Sequence, residues 1–374
     1  MSSPTLRKPL LPALTGIRTL MAIIIMFFHF TPPHLGLLYP IIDSGFAFIG
    51  FFFLISGFIL TYNYADRAAT LIKHDFWIAR FSRLYAVYVF SLLLFARNVV
   101  DEWHAHTHAD FWLGMVLTPL LLQGWHPWLA TFWNTVAWTL SCEAMLYIIF
   151  PWVIRLRWPK TASRLIAMML LIWAIGLIPH TLYILLNPDH LAGPANRYTS
   201  SFWIRMLKFT PAPYICTFLA GITLGKLHLL LEADQRRRLV LAAVGLLLML
   251  GFFYGAAGRM PYILMHGGLM TPLFAIIILG LSGKHVLATV FSWRPLVVMG
   301  EATYCLYLLH FNSFILIQRY HLAERLHFTH FDPWVSYVAV IVLALAAYRF
   351  VEKPSQRWIL SRWGKPRVQP AVSL

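Results

Sequence analysis

Long apolar stretches alternate with short polar connections along this chain. Stretches of a length to cross about 30 Å of hydrocarbon fall near residues 14–31, 45–63, 84–99, 131–154, 165–186, 211–230, 239–257, 262–281, 296–317 and 333–351. A shorter apolar piece at 111–123 is interrupted by Pro119 and flanked by Trp112 and Trp125, which suits an interfacial or re-entrant segment. The pattern predicts an all-α integral membrane protein with about ten transmembrane helices. No internal repeat, heptad run or low-complexity tract breaks it, so residues 1–374 are expected to form one membrane domain, with a tail over about 355–374 and no appended soluble domain. The first span is too long for a signal peptide and lacks a small-residue cleavage site, so it is expected to be retained.

The polar connections set an orientation. With a cytoplasmic N-terminus, the inside segments carry 22 Lys and Arg and the outside segments seven, with Arg18 left inside the first span. Short-loop bias of this kind places both termini in the cytoplasm. Composition agrees: 59% of the 374 residues are hydrophobic and 12% charged, too little polar surface for an ordinary soluble domain. The formal net charge of +16 is accounted for by that topology and does not imply nucleic acid. Cys142, Cys216 and Cys305 fall in predicted spans without paired spacing, so neither a disulfide framework nor a metal site is expected.

Several ionisable residues interrupt the spans, where a charge costs about 2.5 to 3.5 kcal/mol on insertion scales and usually faces a cavity. Arg18 and His29 lie eleven residues apart, which on a helix is about three turns and a rise of about 16 Å along one face. Both side chains are expected to look into the same space, Arg18 holding a cytosolic anion and His29 exchanging a proton. The plainer readings are a snorkelling arginine and a hydrogen-bonded packing histidine. Arg80 and Arg83, three apart at the start of the third span, form a second anion clamp. Glu143 sits inside a span near Trp138 and Tyr147 and needs an Arg or His partner from another helix. Near the end, Glu301 and His310 surround Tyr304 and Tyr307, which are expected to pack, and Glu352 beside Lys353 and Pro354 suits a helix-ending salt bridge as well as a catalytic duty. The loop histidines His104, His106 and His108 suit sugar stacking, metal binding or plain interfacial solvation, and solvation is preferred.

Six motifs occur in order: Arg18 and His29 as R-x10-H, "GFFFLISGF" at 50–58, R-x-x-R at 80–83, "WTLSCEAMLY" at 138–147, "ATYCLYLLH" at 302–310 and "VEKP" at 351–354. In these the chain resembles the acyltransferase-3 family over nearly its whole length. The resemblance implies a multi-pass enzyme of the bacterial inner membrane that moves an acyl group, usually acetyl from acetyl-CoA, onto a hydroxyl of a sugar or related acceptor. It implies that His29 and Arg18 are essential and ties Arg80 and Arg83 to the cytosolic donor. Membrane lipids, a carbohydrate or lipid-linked glycan, and polysaccharide-assembly machinery become the expected partners, with exopolysaccharide or O-antigen units as acceptors. Gly50 stands where relatives often carry an acidic residue, so that role falls to Asp43 or is absent, and Thr139 replaces a common serine.

The mechanism expected on this reading places the phosphates of acetyl-CoA on Arg18, Arg80 and Arg83, with His29 as base and Glu143 orienting its ring. Ser56, Ser141 and Cys142 are candidate covalent relays, but direct transfer is preferred, with Trp138, Tyr147, Tyr304, His310 and Glu352 in support. A transporter of a sugar or lipid-linked intermediate is the competing class, since intramembrane His, Glu and Arg also build proton relays; the repeats that mark such folds are not visible. A catalytically silent assembly subunit is the third reading.

Overall fold

A computed structural model describes residues 8–232 and 234–364, which contain helices and no strand. Of the basic residues used for orientation, Arg7, Lys365 and Arg367 lie outside the described residues, as does the end of the expected tail from 365. The helices used below are α1 (Pro12–His29), α2 (Phe48–Tyr64), α3 (Lys73–Leu94), α4 (Trp138–Val153), α5 (Ala162–Leu186), α6 (Phe202–Phe209), α7 (Ile215–Leu230), α8 (Gln235–Gly255), α9 (Tyr262–His266), α10 (Thr271–Leu281), α11 (Arg294–Glu301), α12 (Thr303–Arg319), α13 (Trp334–Ala347) and α14 (Lys353–Trp363).

Among the described residues, eight helical segments are long and apolar enough to cross a membrane, and the protein is a multi-pass membrane protein. The other two predicted spans hold shorter helices. The 131–154 stretch yields only α4, of 16 residues, because residues 118–137 form an irregular buried wedge. Its exposed-backbone problem is solved internally: Tyr88 Oη donates to the Thr118 carbonyl at 2.6 Å, Gln123 Nε2 to the Ala137 carbonyl at 3.2 Å, and Asn134 Nδ2 to Ser91 Oγ and the Leu308 carbonyl. The expected re-entrant segment 111–123 feeds this wedge. The 296–317 stretch breaks at Ala302 into α11 and α12, and 262–281 breaks at Gly267 and Gly268, where Gly268 has φ +95°. The last predicted span ends in a π-helical turn over Tyr348–Glu352 and continues as α14.

Apolar character all round a helix marks burial within the bundle, and α2 with its flanking turns is 94% buried. It packs on α7 through glycines: a Cβ at Gly221 would stand 2.1 Å from the Leu54 carbonyl oxygen, and one at Gly57 2.3 Å from that of Phe218. Such small-residue seams let helices touch backbone to backbone. Peripheral α5 is 11% buried and α8 28%, with Leu170, Leu171, Leu185 and Leu247 pointing outward as a lipid-facing surface.

The site rests on α1. Proline at its start presets the helical dihedral, and Pro32 and Pro33 forbid continuation past His29. Gly300 of α11 meets α1 so closely that a Cβ would lie 2.0 Å from the Thr15 carbonyl oxygen. Thr19 Oγ1 donates to the Leu296 carbonyl at 2.7 Å. These contacts fix Arg18 against the start of α12.

Candidate functional site

One cavity gathers the predicted polar residues from five helices. Arg18 comes from α1, Ser56 from α2, Arg80 and Arg83 from α3, Glu143 and Tyr147 from α4, and Thr303, Tyr304 and Tyr307 from α12. The guanidinium groups of Arg18, Arg80 and Arg83 belong to residues only 7%, 6% and 8% exposed. Arg18 Nη2 donates to Thr303 Oγ1 at 2.9 Å. Arg83 Nε donates to Glu352 Oε1 at 2.8 Å, and Cys305 Sγ donates to the other oxygen of that carboxylate at 3.1 Å. Glu143 accepts a short hydrogen bond from Tyr147. Three cations therefore share two carboxylates, leaving a positive surplus in a buried space. Arg80 Nε and Arg83 Nη2 are buried donors without a protein partner, and an anion is the group that satisfies such donors.

His29 is not part of this cavity's wall. Eleven residues of α1 carry it about 16 Å beyond Arg18, and of the two only Arg18 lines the cavity. At that end its ring lies 5.3 Å from the His310 ring and 5.1 Å from Phe311. His310 Nδ1 is 2.6 Å from the Tyr307 carbonyl oxygen, so this nitrogen carries the proton. In the neutral ring Nε2 is then a bare acceptor, and it is buried without a partner. Tyr307 links the two regions, lining the cavity while its ring stands 5.7 Å from that of His310.

Other expected roles change. Glu143 faces the arginine cavity rather than orienting His29, because one helix position cannot serve both ends. Glu352 pairs with Arg83, not Lys353, since the π-helical turn rotates it inward; Lys353 lies 3.6 Å from Glu301, which also accepts from Tyr348. Ser141 Oγ accepts from the Gly124 amide at 3.2 Å and braces the wedge. Trp138 packs on Phe209, Tyr214 and His266. Tyr304 donates to the Leu84 carbonyl at 2.6 Å and ties α12 to α3. Asp43 is exposed at the end of the short helix Tyr39–Asp43 and outside the cavity wall. The loop histidines act separately: His106 lies 3.1 Å from Glu102, and His108 stacks on Trp103.

Sequence reasoning missed Thr303 and the cations near His29. Arg197 Nη2 donates to the Phe28 carbonyl at 2.7 Å, and Lys208 Nζ donates to the Arg197 carbonyl at 3.5 Å. A signal was present, since three of the seven basic residues on the basic-poor side fall within 197–208.

A family model described as an acyltransferase domain matches residues 11–347. The chain is 23% identical to the O-acetyltransferase OatA of Staphylococcus aureus over 93% of its own length and 57% of that relative. To the peptidoglycan O-acetyltransferase OatA of Listeria monocytogenes it is 21% identical over 92% and 56%. To the acyltransferase MdmB of Streptomyces mycarofaciens it is 31% identical over 38% of each chain. It thus spans little more than half the length of the OatA proteins. No solved structure matches. With the family match running through every residue that lines the cavity, the chain belongs to the acyltransferase-3 family.

Proposed function

We propose that this protein is a membrane O-acyltransferase, which moves an acetyl group from acetyl-CoA on the cytoplasmic side to a hydroxyl of a carbohydrate presented on the other side. The carrying observation is a buried cavity lined by three arginines, of which Arg80 and Arg83 each keep a buried N–H donor without a protein partner. The donor's phosphates supply the anion that these groups lack, and its thioester supplies an activated acyl carbon. Arg80 and Arg83 bind and Arg18, held by Thr303, adds charge and position. The tyrosines along α12 form a wall leading toward the histidines, where the His29 ring lies against those of Phe28 and Phe311.

At that end His29 takes the proton from the acceptor hydroxyl as its oxygen forms the new ester bond and the thioester C–S bond breaks. The Nδ1–H tautomer of His310 places a second ring acceptor beside it. The proton then passes to the departing thiolate, so atoms and charge balance. Relatives named as O-acetyltransferases, one of them acting on peptidoglycan, support this class of reaction. Neighbouring lipids and glycan-assembly machinery are the proposed partners, and a bacterial cytoplasmic membrane is the proposed location.

The test is transfer by purified protein in vesicles loaded with acetyl-labelled acetyl-CoA, with glycan from the native cell surface outside. Base-labile label on the glycan, matched by released free thiol inside, is expected. Glycan movement without labelling would instead establish a transporter.

A further inference from the structure

We infer that the acceptor carries an anionic group, a carboxylate or phosphate, and that Lys208 and Arg197 bind it beside His29. This names the acceptor class for the proposed acyltransferase, and rests on that reading only in calling the bound anion the acceptor.

Three cations from the segment 197–208 cluster beside Phe28 and His29: Arg197 on the Phe28 carbonyl, Lys208 on the Arg197 carbonyl, and Arg205 over the Phe209 ring that Lys208 also faces. None is within ion-pair distance of a carboxylate among the described residues. The nearest acid in sequence, Asp189, is occupied by Tyr183, Ser201 and the amides of Trp203 and Ile204. Arg205 is a brace, its donors spent on Ser200, Thr131 and the carbonyls of Pro127 and Trp128. The other two are not used up. Lys208 is 6% exposed, yet its ammonium has three protons and one acceptor, the Arg197 carbonyl at 3.5 Å. Arg197, half-buried at the edge, spends Nη2 on the Phe28 carbonyl and lies 4.0 Å over the Phe28 ring. A buried ammonium so poorly paired is costly unless an anion arrives.

The surroundings suit a charged sugar. Aromatic faces floor the cluster: Lys208 Nζ stands 5.1 Å from the rings of both Phe209 and Tyr262. Cations held over ring faces are fixed in position, which orients a charged group bound to them. Arg197 bonds the carbonyl of Phe28, the residue before His29, and Lys208 lies against the Arg197 carbonyl, so an anion bound there sets an acceptor hydroxyl at the proposed base. Placing three basic residues on the side that usually lacks them has a purpose if they recognise substrate.

The test is equilibrium binding to purified protein in neutral phosphatidylcholine nanodiscs. The probes are an oligogalacturonate, its carboxyl-reduced neutral counterpart and inorganic diphosphate. Oligogalacturonate or diphosphate is expected to bind at least about tenfold more tightly than the neutral oligomer, the scale of one charge-assisted hydrogen bond. Lys208→Gln should erase that preference, and Lys208→Arg should restore it at unchanged thermal stability. Carboxylate preference assigns the anion to the sugar, whereas diphosphate preference assigns it to a lipid-carrier phosphate. Equal binding of all three probes, or a preference that survives both Lys208→Gln and Arg197→Gln, overturns the proposal. Binding is read without catalysis, so a protein that binds the acidic glycan and transfers nothing overturns the acyltransferase reading alone.

Discussion

Arg83 and Glu352, 269 residues apart, form a buried ion pair with Nε 2.8 Å from Oε1. It ties the middle of α3 to the π-helical turn before α14. Removing one partner of such a pair strands the other charge, which costs about 3 to 5 kcal/mol. Glu352→Leu is therefore expected to lower thermal stability in detergent steeply. The double variant Arg83→Leu with Glu352→Leu should be more stable than Glu352→Leu alone. Equal stability of the single and double variants would contradict a buried pair.

That pairing shows where the sequence was readable. Arg18, Arg80, Arg83 and Glu143 were legible because an ionisable group inside a span must face the interior, and helical spacing put the two R-x-x-R arginines on one face. Their partners were not. Thr303 and Glu352 come from helices that no local pattern relates to Arg18 and Arg83. Hydropathy also runs unbroken through Ala302 and through Gly267 and Gly268, so it hid the breaks that let α12 present Thr303 inward. The wedge at 118–137 was hidden for the opposite reason: its polar backbone is satisfied by Tyr88, Gln123 and Asn134, contacts that exist only after folding.

Donor binding is tested best at Arg80, since its loss strands no carboxylate partner. Arg80→Ala should raise the KM for acetyl-CoA by about 10- to 100-fold, the scale of one or two charge-assisted hydrogen bonds, with a smaller effect on kcat. Unchanged dependence on acetyl-CoA would make Arg80 an ordinary topology determinant.

Sidedness is a separate expectation. Lys8 Nζ bonds Asp66 at 2.6 Å, placing the start of α1 at the end of α2, where Arg80 lies 5.9 Å from the Tyr64 ring. A reporter fused after Leu374 should be cytoplasmic, and one inserted near His106 should be external. The reverse would place the arginine cavity on the wrong side for a cytosolic donor.

Acidic-acceptor binding should depend on pH. Burial, with Arg205 and Arg197 nearby, lowers Lys208 from 10.5 to about 8. Tyr262, Tyr214 and His266 are the other titratable groups around it. Only the protonated amine attracts an anion, so affinity should be level below that value and fall by up to about tenfold per pH unit above it. Binding titrations of oligogalacturonate at pH 6.5 to 9.5, chosen to span about that range, check this; Lys208→Arg should flatten the profile.

The proposal as a whole requires that donor binding and acyl transfer separate along α1, with Arg18 at one end and His29 at the other. Donor affinity, transfer rate and thermal stability measured on one purified His29→Ala sample address this directly. Near-unchanged acetyl-CoA affinity and stability are expected, with acetyl transfer slowed at least about 10²-fold, the low end of what acid–base catalysis supplies. Near-normal transfer in that sample, or joint loss of donor binding and stability, would contradict a catalytic His29.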